Sequence, residues 1–195
     1  MGSMTTSTAR PESRRVAGFT LVELMVAGGI GSFILTGVLS VVLMMGRSGL
    51  SASNYADMEA QSRRAVDEFA QDVRMASNLT WNSATSVTLT VSDNYTATSN
   101  RVTYAYDSST SGATAHSFYR LPGEAGSTAA RFVLARNVTS LNFARYTRTN
   151  AVATNELLTK RLQLTMNLRT IRATTVDQNT LVVSASYVLR NKPSN

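Results

Sequence analysis

One carboxylate is conspicuous for its surroundings. Glu23 is the only charged residue between Arg15 and Arg47, set in an apolar run from Phe19 to Gly46. A charge in a membrane span costs about 2.5–3.5 kcal/mol at the centre and less toward the edge, so such a residue calls for a partner. Other residue types capable of chemistry are few. The single histidine, His116, lies in a Ser/Thr/Gly-rich loop and reads as exposed, and there is no cysteine. A histidine-based triad, a multi-histidine metal site and a disulfide framework are therefore excluded. Asp67, Glu68 and Asp72 stand among arginines without metal-ligand spacing and read as a solvated helix face. Asp93-Asn94 and Asp107 are too isolated for a calcium loop. No Gly-Lys-Ser/Thr follows any glycine cluster. The expectation is a protein that is not an enzyme, with no cofactor, no metal and no small-molecule substrate.

The elements that position these residues fall into three zones. Residues 19–46 predict an apolar helix; at about 1.5 Å per residue it spans about 42 Å, enough to cross a ~30 Å hydrocarbon core. Basic residues precede the run, which implies a cytoplasmic N-terminus and an extracytoplasmic C-terminal domain. A cleaved secretory signal is excluded by length, and because the small residue Gly18 lies before the run. A plain anchor leaves Glu23 unexplained. Gly28, Gly29, Gly31 and Gly37 interrupt the same helix. Each costs about 1 kcal/mol relative to Ala in a water-exposed helix, so their number suggests close packing of neighbouring helices in an apolar medium.

Residues 47–80 predict an amphipathic continuation. Met58, Ser62, Ala65, Val66, Phe69, Val73, Ala76 and Leu79 recur at three- and four-residue steps, with Arg63, Arg64, Gln71 and Arg74 opposite. Ser48-Gly49 and Ser51–Asn54 suggest a bend or a loosened turn between the two helical halves. Trp81 sits at the junction to the third zone and reads as core. From there to residue 190 the period is two: Val87, Leu89 and Val91, then Val102, Tyr104 and Tyr106. Further strands are expected at Ser117–Leu121, Arg131–Ala135, Leu141–Tyr146, Arg161–Arg169 and Leu181–Arg190. Residues 107–116, 122–130, 147–156 and 173–179 read as loops, and 191–195 as a frayed tail. The fold class is α+β: a long N-terminal helix packed on antiparallel sheet.

Arg14-Arg15-Val-Ala-Gly18 followed by Phe19-Thr-Leu-Val-Glu23 and an unbroken apolar stretch resembles the class III signal of type IV prepilins and type II secretion pseudopilins. The resemblance implies leader removal (residues 1–18) between Gly18 and Phe19 by a membrane aspartyl prepilin peptidase, with N-methylation of Phe19. It also implies that Glu23 neutralises the N-terminus of a neighbouring subunit in a filament. The implied partners are other pilin or pseudopilin subunits, the peptidase, an inner-membrane assembly platform and the lipid bilayer. No proline lies between Phe19 and Pro122, which favours a minor subunit over a major pilin. Leu134-Ala-Arg-Asn-Val138-Thr-Ser-Leu141-Asn-Phe143-Ala-Arg-Tyr146, with the alternating segment at 161–169, is similar to the C-terminal region of J-type minor pseudopilins and W-type minor pilins.

The net charge is +7, and the basic residues gather late in the chain. Arg131, Arg136, Arg145, Arg148, Lys160, Arg161, Arg169 and Arg172 are candidates for contact with DNA or another anionic surface. Their scatter fits cations on solvated strand faces better.

Overall fold

The computed structural model describes residues 18–91, 100–170 and 180–193. The leader residues 1–17 with Arg14 and Arg15, Asp93-Asn94, Arg172, the 173–179 loop and residues 194–195 lie outside the described residues. The chain divides into two compact units, Met1–Arg47 and Ser48–Asn195.

In the first unit, α1 (Leu21–Met75, shared with the second) opens on a largely apolar stretch. From Phe19 to Met45 every large apolar side chain is exposed. This stretch is long and apolar enough to cross a membrane. Full burial of one such side chain is worth about 1.5–3 kcal/mol, so this surface demands an apolar surrounding. Its hydroxyls make no such demand. Ser32 Oγ donates to the Gly28 carbonyl at 2.7 Å, Thr36 Oγ1 to that of Ser32 at 2.8 Å and Ser40 Oγ to that of Thr36 at 2.9 Å. Each side-chain donor is satisfied by its own helix.

α1 remains helical through Ser48–Asn54, so the chain does not leave the helix where a bend or loosened turn was expected. In the second unit the helix buries Met58, Ser62, Ala65, Phe69, Ala70, Asp72 and Val73, much the face that its periodicity marks. Two antiparallel sheets cover that face. One holds β1 (Ala76–Ser83), β2 (Ser86–Val91), β3 (Arg101–Asp107), β4 (Ser117–Pro122) and β5 (Phe132–Ala135) in sequential order. The other holds β6 (Val138–Tyr146), β7 (Arg161–Arg169) and β8 (Thr180–Val188). The α+β class is thus observed. Phe69 is the meeting point, fully buried, with ring centroids of Tyr104 at 5.1 Å, Phe143 at 5.6 Å, Tyr187 at 6.1 Å and Phe118 at 6.5 Å. These partners come from β3, β6, β8 and β4, so one helical side chain organises both sheets. Perpendicular ring pairs such as Phe69–Tyr104 (81°) add about 0.5–1.5 kcal/mol beyond area burial.

Four expectations need correction. The amphipathic helix ends at Met75, not near residue 80, and Ala76 and Leu79 belong to β1. β1 escapes a period-two reading because its pairing with β2 shifts register between Ala76 and Asn78 and again between Trp81 and Ser83. Such bulges change which face the next side chain takes. Asp72 is not solvated but 4 % exposed. His116 is half-buried, not exposed, with φ of 50°, and its carbonyl accepts the Val138 amide at 2.9 Å. Lys192 does not belong to a frayed tail. It is buried, and its Nζ donates to the carbonyls of Glu156, Leu157 (3.4 Å) and Thr159 (3.1 Å).

Candidate functional site

The start of α1 is built by Thr20 and Glu23. The Thr20 amide and hydroxyl both donate to Glu23 Oε2 at 2.9 Å, and the Glu23 amide donates back to Thr20 Oγ1 at 3.2 Å. This is a reciprocal capping box, which satisfies helix-start donors that otherwise lack partners in an apolar surrounding. The T-x-x-E spacing that encodes it is legible in the sequence. Regarding Glu23 only as an isolated charge conceals it. Glu23 Oε1 accepts no hydrogen bond from the described residues, so one carboxylate oxygen is still open. A negative charge here also suits the positive end of the helix dipole.

Gly18 and Phe19 precede the helix in irregular backbone, and Phe19 is 89 % exposed. A peptidase cut between them would leave the new amine one residue before the capping threonine. At Gly28, Gly29, Gly31 and Gly37 an added Cβ would meet nothing within 4 Å. Among the described residues no contact requires these glycines, and their missing side chains leave that stretch of helix narrow.

The late basic residues separate into two groups. Arg131 is neutralised: it lies 3.7 Å from Asp107, bonds Thr114 Oγ1 at 3.1 Å and stacks 4.9 Å over the Tyr119 ring. Arg145 stacks 4.7 Å over Trp81 and donates to the Thr154 carbonyl at 3.0 Å. Trp81 itself is half-buried and packs against the core. Arg136 and Arg169 are exposed and apart from the others. Arg148, Lys160 and Arg161, by contrast, come together in one cleft with Arg190 and Lys192. Lys192 is invisible to a reading that treats residues 191–195 as a tail, and Arg190 to one that takes it only as the end of a strand.

A second cleft, about 590 Å³, is lined by Arg64, Asp67, Glu68, Gln71, Asp72 and Arg120. Asp72 Oδ2 accepts from Tyr104 Oη at 2.6 Å and from Arg120 Nε at 3.0 Å. Burial first, then Asp72, push the Tyr104 phenol far above its ordinary range, so it stays a donor. The network fastens α1 to β3 and β4. Among the described residues no three His, Asp or Glu side chains converge as metal ligands would.

No family model matches the chain, and comparison with curated proteins finds no match.

Proposed function

We propose that this chain is a type IV pilin-like filament subunit, of the minor kind, belonging to a pilus or a secretion pseudopilus. On this reading a prepilin peptidase removes residues 1–18 and Phe19 is methylated. The protein first sits in the bacterial inner membrane as a single-pass precursor, N-terminus cytoplasmic. The assembly platform then moves it into a filament with other subunits. The observation that carries the reading is Gly18-Phe19 set directly before a capped, wholly exposed apolar helix whose one charge, Glu23, keeps an open carboxylate oxygen. The amine created at Phe19 on an adjoining subunit is the natural partner for that oxygen. Pairing two charges in an apolar medium removes much of the penalty that each carries alone. A subunit seated out of register leaves both unpaired, which gives assembly a fixed address. The late similarity to J-type and W-type minor subunits supports the minor assignment.

Intact mass and N-terminal sequencing of the protein recovered from a peptidase-bearing host test this. The expected first residue is methylated Phe19; any other first residue removes the reading.

A further inference from the structure

Arg148, Lys160, Arg161, Arg190 and Lys192 line a cleft of about 380 Å³ at one end of the three-stranded sheet, and none of its lining residues is acidic. Strand register builds it. Arg161 opens β7 directly between Tyr146 of β6 and Val188 of β8. The turn after β6 and the segment after β8 therefore meet at the same sheet end. The Lys160 amide donates to the Tyr146 carbonyl at 2.8 Å and the Leu189 amide to the Lys160 carbonyl at 2.9 Å, closing the corner.

No ion pair among the described residues neutralises the positive charge gathered here. Lys160 Nζ donates to the Lys192 and Pro193 carbonyls at 2.6 Å, and Lys192 to three carbonyls of the 156–159 turn. Carbonyl dipoles orient these ammonium groups without neutralising them. The Glu156 carboxylate accepts the Trp81 amide at 2.6 Å. Burial first, then Lys160, lower the pKa of Lys192, with Glu156 opposing. The Arg161 guanidinium lies 4.8 Å over the Tyr146 ring, and its Nε is buried without a hydrogen-bond partner. Arg148 and Arg190 are exposed and make no ion pair among the described residues. Clustered like charges weaken a fold through their mutual repulsion, and a bound anion relieves it.

We propose that this cleft binds a compact phosphate-bearing group, its oxyanion held by Arg148, Arg161 and Arg190 in the field of the two lysines. Several cations without an acid suit a multiply charged oxyanion better than a single carboxylate. Arginine forks match its geometry. A nucleic-acid strand fits less well, because it needs a row of cations and free aromatic faces. Arg169 stands at the far end of β7, about 26 Å away along the strand. Arg131 and Arg145 are engaged elsewhere, and the Tyr146 face is covered by Arg161. The inference is independent of the filament reading, since the cleft belongs wholly to the Ser48–Asn195 unit.

The test is calorimetric titration of the full chain, held in phosphatidylcholine nanodiscs, with inorganic pyrophosphate. Saturable one-to-one binding is expected. The double variant R148Q/R190Q should weaken it about tenfold or more, as loss of charge-assisted bonds does. R136Q/R169Q, with the same loss of charge, should leave it unchanged, and both variants should melt as the parent does. Nanodiscs doped with phosphatidic acid separate two sources of the phosphate. A pyrophosphate response lost there assigns a lipid headgroup, and one retained assigns a soluble ester. No saturable binding, or equal weakening in both double variants, overturns the proposal. So does length-dependent binding of a single-stranded oligonucleotide that is indifferent to R148Q/R190Q.

Discussion

Glu23 combines a cap and a charge, and two substitutions separate them. Glu23→Gln keeps an amide oxygen for the Thr20 amide and hydroxyl but removes the charge; Glu23→Ala removes both. If charge pairing across subunits sets register, both variants should be processed after Gly18 yet fail to enter filaments, scored on a membrane-cleared preparation. Parent-like incorporation of Glu23→Gln would leave helix capping as the whole role of the residue. Asp107 offers a second test at this scale. Hydrogen bonds from Ser109, then Thr114, with Arg131 further off, hold its carboxyl below the ordinary aspartate range. A carboxyl depressed by folding contributes stability above its unfolded pKa, and that contribution disappears as pH falls through the folded value. Melting of the parent and Asp107→Asn should therefore differ near pH 6 and converge toward about pH 2. A constant gap across that range would show that Asp107 acts without its charge.

Among the strands after residue 85, β7 and β8 were the most legible, because each alternates cleanly along its length. β7 is the plainest case, with Leu162, Leu164, Met166 and Leu168 buried between half-buried or exposed neighbours. β1 was not, because its bulges break the alternation while Ala76 and Leu79 happen to keep helical spacing. Asp72 was misplaced for a related reason. Periodicity locates a helix face but not the partners that another element brings, and Tyr104 and Arg120 arrive from strands far along the chain. The cation cleft was legible only by half. Arg148, Lys160 and Arg161 stood out by charge, whereas Arg190 and Lys192 join them through strand register that no local pattern reveals. The Asp72 network sets an energetic contrast. Asp72→Ala leaves Arg120 half-buried without its closest partner, and breaking such a pair typically costs about 3–5 kcal/mol. Glu68 lies 3.6 Å from the same arginine and is far more exposed, so Glu68→Ala should cost under about 1 kcal/mol. Urea denaturation of the two variants measures the difference. Equal effects would mean that the buried pair does not fasten the helix to the sheet.

The two compact units make a separable prediction for the whole chain. A fragment beginning at Ser48 contains the amphipathic helix face, both sheets and the aromatic cluster around Phe69. It should stay in solution without detergent and melt in one cooperative transition, whereas the full chain should need a lipid or detergent surrounding for its exposed apolar stretch. Loss of the cooperative transition in the fragment, followed by circular dichroism, would show that the second unit depends on the first. The second sheet carries a further consequence, one of timing. β8 and Lys192 are translated late, yet β8 completes the lattice beside β7 and Lys192 gathers the 156–159 carbonyls. Until those residues leave the ribosome, β7 has a neighbour on one side only and Phe69 lacks Tyr187. The domain cannot be finished piecemeal as it is made. An interrupted translation product would present an unsatisfied strand edge, the kind of surface that quality-control proteases and chaperones seize.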